Sequence, residues 1–268
     1  MKFTKMQGIG NDYVYINCFE ETVKDPTVLA RKISDRHFGV GSDGLVLICP
    51  DPEADFRMRM FNADGSESEM CGNATRCIGK YVYERGLTNK TEVRLMTGAG
   101  IKILNLRTDQ GKVTSIRVDM GIPEIQGIGE TVEANGKLFS FTRVSMGNPH
   151  AVIFTEDTEK FDVEGYGKVI EHAPMFPNRT NTEFATILTD RRIRMRVWER
   201  GAGETMACGT GACATAVAAA VTGRSGRRSR VIMDGGTLDI EWRESDGHVY
   251  LSGPAVISFE GTAQLPVP

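Results

Sequence analysis

The run Glu69-Met-Cys-Gly-Asn-Ala-Thr-Arg-Cys-Ile-Gly79 has a near copy later in the chain, Met206-Ala-Cys-Gly-Thr-Gly-Ala-Cys-Ala214. In each, a Cys-Gly step opens a segment with helical patterning. A cysteine at a helix N-terminus sits among backbone N–H groups that lack intrahelical partners, and these groups and the helix dipole favour the thiolate. Cys71 and Cys208 are therefore candidate reactive thiols. A pair of such sites points to chemistry that needs both.

The spacing between the two cysteines, 137 residues, recurs far from them. It maps Gly10-Asn11 onto Gly147-Asn148, Arg57 and Arg59 onto Arg194 and Arg196, and Glu67 onto Glu204. It also maps Gly86 onto Gly223, and Met96 and Gly98 onto Met233 and Gly235. This is an internal duplication with one unit per half, since a short-period solenoid would repeat every 20–50 residues or so. The expected domains are residues 1–120, holding Cys71, and 121–268, holding Cys208, with the last strand able to return to the first unit.

Around these landmarks the chain reads as strands enclosing one helix per unit. Lys2–Met6 and Tyr13–Asn17 alternate as strands, Pro26–Ser34 reads as a helix, and Leu45–Cys49 as a buried strand. Residues 72–86 place apolar side chains at 74, 77, 78, 81 and 82, the stripe of an amphipathic helix, with Gly86 as its cap. Residues 209–223 are small and apolar on all sides, as in a fully buried helix. Residues 121–139 read as the connection between units, residues 170–181 as a helix-and-loop passage broken by Pro174 and Pro177, and the basic run 223–230 as a solvated loop. His37, Cys49, Cys77 and His248 read as packing or strand residues.

With 268 residues, 40% apolar and 25% charged, the chain belongs with globular proteins large enough for two cores. A net charge of −3 gives no electrostatic case for nucleic acid or an anionic membrane. No apolar run reaches the ~18 residues of a membrane span, and no secretory leader is apparent, so the expected location is cytoplasmic, where thiols stay reduced. Four zinc ligands from Cys71/Cys77 and Cys208/Cys213 are disfavoured, because these spacings are wider than the usual knuckle. No metal is expected.

Two similar acid/base groups suit inversion of a stereocentre: one removes a proton from one face and the other delivers one to the opposite face. A hydrolase has no use for such symmetry, since its nucleophile and base differ. Helix-start N–H groups at Gly72, Asn73, Gly209 and Thr210 would hold the charge that gathers on an α-carboxylate as its proton leaves. Another amino-acid racemase, and a redox-active binding module, are the readings that compete with this one.

Six motifs in order resemble the diaminopimelate epimerases over essentially the whole chain. They are Gly8-Ile-Gly-Asn-Asp12, Phe61-Asn-Ala-Asp-Gly-Ser66, Cys71-Gly-Asn-Ala-Thr-Arg-Cys77, Gly147-Asn-Pro-His150, Trp198-Glu-Arg-Gly201 and Ala207-Cys-Gly-Thr-Gly-Ala-Cys213. The resemblance implies an α+β fold of two pseudo-symmetric domains, each a mainly antiparallel strand barrel around a central helix. It implies cofactor-independent interconversion of LL- and meso-2,6-diaminopimelate, in lysine and peptidoglycan precursor synthesis, with Cys71 and Cys208 as the two acid/bases. His150 and Glu199 would assist. Asn11, Asn62, Asn148, Asn181, Glu199 and Arg200, with the Gly72-Asn73 and Gly209-Thr210 backbone, would bind substrate. Gly44 departs from the pattern: many members have Gln there, and that contact is in doubt. The partner implied is the small-molecule substrate, with a homodimer left open.

Overall fold

The computed structural model describes residues 1–264. They form two compact units: residues 1–118 joined by the segment from Gly253 onward, and Asp119–Ser252.

The first unit contains β1 (Lys2–Gly8), β2 (Asn11–Asn17), α1 (Pro26–Ser34), β3 (Gly44–Cys49), β4 (Phe56–Asn62), β5 (Glu67–Ser68) and α2 (Gly72–Glu84). It continues with β6 (Glu92–Thr97), β7 (Gly100–Asp109) and β8 (Lys112–Gly121), and takes β18 (Val256–Thr262) from the end of the chain. Pairing runs β18-β1-β2-β3-β4-β6-β7-β8, with β5 a short addition to β4. Strand β1 lies antiparallel to both β2 and β18, and the N-terminal ammonium donates to Ala263 O.

The second unit contains β9 (Glu124–Ala134), β10 (Lys137–Ser145), β11 (Pro149–Phe154), α3 (Val163–Glu171), β12 (Asn181–Thr189), β13 (Arg192–Glu199) and β14 (Gly203–Thr205). Then come α4 (Gly209–Val221), β15 (Arg228–Met233), β16 (Gly236–Trp242) and β17 (Val249–Gly253). Here the order is β9-β10-β11-β12-β13-β15-β16-β17, the same sheet with β9 in the place of β18.

The duplication holds at the level of single bonds. Helices α1 and α3 are offset by 137 residues, as are α2 and α4. Asp25 caps α1 by accepting from Val28 N, and Asp162 caps α3 by accepting from Gly165 N. The parallel pairing Tyr13↔Gly44 in one unit is His150↔Asn181 in the other. Register slips by one residue only past the helices: the β6–β7 hairpin closes at Thr97↔Gly100, and the β15–β16 hairpin at Met233↔Gly236.

Each central helix forms because its burial is satisfied on the faces the sequence makes apolar. Ala74, Cys77, Ile78, Tyr81 and Val82 of α2 are all buried, and Gly86 caps it at a φ of +70°. Helix α4 contacts β10, β11, β12, β13, β15 and β16, which explains why it has no polar face. The sheets are mixed: β2–β3, β4–β6, β11–β12 and β13–β15 are parallel pairs among antiparallel ones. Among the described residues no helix is long and apolar enough to cross a membrane.

Three expectations need correction. Residues 121–139 are not a connection but β9 and the start of β10. Of β9 only Val132 and Ala134 are buried, so most of the strand carries no inward alternation to read. The second unit's first helix is Val163–Glu171, and Pro174 and Pro177 lie in the turns after it. Gly165 and Gly167 weaken its helical signal. Gly167 is needed because a Cβ there would come within 2.4 Å of the Trp198 Cβ. Finally, Arg228 and Arg230 belong to β15, where each pairs across the ladder with Glu241 or Asp239 on β16.

Candidate active site

In the first unit, Cys71 is the N-cap residue of α2 and half-buried. Its thiol donates to Asn11 Oδ1 at 3.4 Å, and its carbonyl accepts from Thr75 N and Oγ1. Asn11 opens β2 directly after a two-residue turn. Ile9 and Gly10 in that turn have φ values of +52° and +89°. For a β-branched residue this is strained backbone, about 1–3 kcal/mol, and buried packing of Ile9 holds it.

A directed chain of hydrogen bonds fixes the amides around Cys71. The fully buried Arg76 donates to Asn73 Oδ1 at 2.8 Å, and Asn73 Nδ2 donates to Asn11 Oδ1 at 3.3 Å. Asn11 Nδ2 in turn donates to Asp43 Oδ2 at 2.8 Å. A carboxylate only accepts, so Asp43 settles which end of the Asn11 amide faces Cys71. Burial pushes the Asp43 carboxyl up and Asp12 adds to this, against hydrogen bonds from the Asp12 N–H and Asn11.

In the second unit, Cys208 is the N-cap residue of α4 and nearly fully buried. Its sulfur accepts from Gly211 N at 3.4 Å and lies 3.5 Å from the Thr210 hydroxyl. Burial pushes this thiol well up, with the Glu199 and Glu183 charges acting the same way; the contacts with Thr210 and Gly211 oppose them. The helix-start effect is worth ~0.3–1 kcal/mol, up to ~2, while full burial can move a group by 3–5 pKa units, about 1.4 kcal/mol each. So at Cys208 burial and the carboxylates win over the helix end. That is the reverse of what the bare helix-start argument gives.

Glu199 is likewise raised by burial, against hydrogen bonds from the Thr205 hydroxyl and the Cys208 thiol. His150 is completely buried, with Nδ1 2.6 Å from Glu183 Oε1 and Nε2 3.1 Å from Asn148 Oδ1. Asn148 Nδ2 donates to Thr210 Oγ1 at 3.2 Å.

The structure therefore gathers Asn11, Cys71, Gly72 and Asn73 in one unit, and Asn148, His150, Glu199, Cys208, Gly209 and Thr210 in the other. Three expected residues have structural duties. Asn181 uses both amide ends internally, donating to Pro149 O and accepting from Arg200 N. Asn62 donates to Ser66 Oγ in its turn. Arg200 is anchored by Nη1 to Asn178 O at 3.1 Å. At Gly44 a Cβ would lie 2.1 Å from Phe61 O, so no side chain fits without moving β4. Asp43 and Glu183 were not singled out from the sequence. Glu183 stands where the duplication has Val46, and a carboxylate in a buried strand phase is the signal that marks it.

The profile of the diaminopimelate epimerases matches residues 3–126 and 142–258. The chain belongs to the diaminopimelate epimerase family. A diaminopimelate epimerase of Acetivibrio thermocellus is 54% identical over 99% of both chains, and one of Desulfovibrio desulfuricans is 55% identical over 97% of both. Diaminopimelate epimerases are isomerases, which sets this chain among the enzymes. Among solved structures, a phenazine biosynthesis protein of the PhzF family from Bacillus anthracis superposes with a TM-score of 0.77, at 17% identity over 99% of both chains. A probable proline racemase from Agrobacterium radiobacter gives 0.76, at 15% identity, over 98% of this chain and 93% of the other. At such identities the likeness is one of fold, and it extends the epimerase fold beyond the family.

Proposed function

We propose that this chain interconverts LL- and meso-2,6-diaminopimelate without a cofactor, by proton transfer at one α-carbon between Cys71 and Cys208. The observation that carries the reading is the matched pair of N-cap cysteines: each opens a central helix of 13 residues at the same position of the duplication. One thiolate takes the α-proton and the other thiol returns one to the opposite face; in the reverse direction the roles exchange. No net redox change occurs, and one proton leaves carbon for each that arrives. The N–H groups of Gly72, Asn73, Gly209 and Thr210 hold the α-carboxylate as charge builds on it. Glu199 takes the Cys208 proton when that thiol must become a base. Asn11, Asn148 and Arg200 recognise the remainder of the substrate, with Arg200 suited to the distal carboxylate, while Asn62 and Asn181 act through the turns they hold. The product serves lysine and peptidoglycan precursor synthesis in the cytoplasm.

Single substitutions in heavy water test the assignment. Cys71→Ala and Cys208→Ala should each nearly abolish inversion. Cys208→Ala should still label the LL isomer with solvent deuterium and Cys71→Ala should not, with the preference reversed for the meso isomer. Mass spectrometry of recovered substrate reads both. Near-normal inversion by either variant would sink the two-base mechanism. Wild-type enzyme that leaves LL-diaminopimelate unchanged would remove the activity itself.

A further inference from the structure

Cys18 and Cys49 lie outside the site described above, and the strands bring them side by side. β2 and β3 pair in parallel up to Asn17↔Ile48, and Cys18 N donates to Ile48 O at 2.9 Å, which sets Cys18 opposite Cys49. Neighbouring strands run about 4.8 Å apart, and a disulfide accepts Cα separations of roughly 4.4–6.8 Å. Opposed residues share a face, so the two thiols extend the row of Val14, Ile16, Leu45 and Leu47. Both pack against the cluster that this row forms with α1. The thiols are hydrogen bonded to each other, and each is partly exposed. The other face of β2 meets α2, where the Tyr15 side chain reaches Cys77. The sheet therefore stands between this thiol pair and the helix that Cys71 caps.

The duplication supplies an independent gauge of the geometry. Adding 137 turns the pair into Thr155 and Thr186. There Thr155 N donates to Ala185 O at 2.8 Å, and the two hydroxyls lie 3.4 Å apart. Equivalent positions thus hold side-chain tips in contact in both units, and only the first unit carries sulfur there. Arg57 faces Cys49 across the β3–β4 ladder, and Arg59 stands two residues further along it. The hydrogen bond from Cys18 holds the Cys49 thiol below its usual range, and the Arg59 and Arg57 charges add to this against burial.

We propose that Cys18 and Cys49 form a reversible thiol–disulfide site, separate from the two candidate catalytic cysteines, that low-molecular-weight disulfides oxidise. The Cys49 thiolate attacks one sulfur of the small disulfide, and the other sulfur leaves as a thiolate. The Cys18 thiolate then attacks the Cys49 sulfur of the mixed disulfide and expels the second small thiolate. Two protein thiols are oxidised, one small disulfide is reduced to two thiols, and excess reducing thiol runs the sequence backwards. The bridge ties β2 to β3 at the ends remote from Asn11.

Oxidised glutathione is the probe, applied to the full chain carrying Cys71→Ala and Cys208→Ala so that only this pair and the completely buried Cys77 and Cys213 remain. After acid quenching and alkylation, a non-reduced tryptic map should show the Cys18 and Cys49 peptides joined, with two hydrogens lost and full release by reductant. These peptides are separable, since Lys24 and Arg36 lie between the cysteines. With Cys18→Ser added, Cys49 should instead retain one glutathione. Recovery of Cys18 and Cys49 as two alkylated thiols would overturn the proposal, and so would separate glutathione adducts with no bridge. If the double variant does not fold, the same map of the wild type decides, because a Cys18–Cys49 cross-link differs in mass from any that includes Cys71 or Cys208. The map reads no turnover, so its outcome is independent of the function proposed above.

Discussion

Cys208 and Glu199 form a small titrating unit: each is raised by its own burial, the Glu199 charge raises the thiol further, and the hydrogen bond from the thiol works the other way on Glu199. Replacing Glu199 with Gln removes an anion beside the sulfur, so the thiolate becomes easier to form. At fixed mildly alkaline pH, alkylation of Cys208 by iodoacetamide should quicken by about three- to tenfold, since one pKa unit is tenfold in thiolate. Peptide mapping follows the site, and an unchanged or slower rate would contradict the assignment. Glu199 also has a consequence for stability. The folded protein holds its proton more tightly than the unfolded chain does. Its stabilising contribution is therefore complete below the ordinary carboxylate range and is lost as pH rises through its folded-state titration.

Between elements, the turn from Glu199 to Gly203 depends on the last residue of α3. Glu171 accepts from Trp198 Nε1 at 2.7 Å, from Gly201 N at 3.0 Å and from Arg179 Nη1 at 3.4 Å. Burial works against its charge, but the hydrogen bonds from Trp198 and Gly201 and the nearby cations prevail and hold it below the usual range. This contribution is present above the ordinary carboxylate range and disappears as pH falls through the folded-state value. Glu171→Gln sets an amide NH2 against one of these donors and should cost about 1–3 kcal/mol, read as a lower urea midpoint. An unchanged midpoint would mean the carboxylate is dispensable to the turn. Helix α2, its cap at Gly86 and the matched copy α4 were legible in the sequence because local periodicity and glycine chemistry write them. Glu171, Glu183 and Asp43 were not legible. Their partners come from other strands and turns, 30 or more positions away in the cases of Gly201, His150 and Asn11. Strand β9 escaped for a related reason, since its exposed isoleucines at 125 and 128 break the apolar/polar alternation.

At the scale of the whole molecule, equal sheets are assembled from unequal stretches of chain. The edge beside β10 is β9, its neighbour in sequence; the edge beside β1 is β18. Removing residues from 254 onward should therefore expose β1 and the Arg76 guanidinium, which loses its bond to Pro254 O. Hydrogen exchange in β1 and β2 should quicken by at least about tenfold, while β11 and β12 keep their protection; equal acceleration in both units would show that the closing strand supports the entire protein.

This arrangement also sets a clock on synthesis. The N-terminal amine and the carbonyl it meets are 262 positions apart. At roughly 5–20 residues per second, β1 emerges from the ribosome on the order of ten to fifty seconds before its partner exists. Over the same interval β9, β10 and α4 appear with most of their neighbours already made. The half translated first is the half that finishes last, and until then it presents an open strand edge to whatever chaperone or nascent neighbour is at hand.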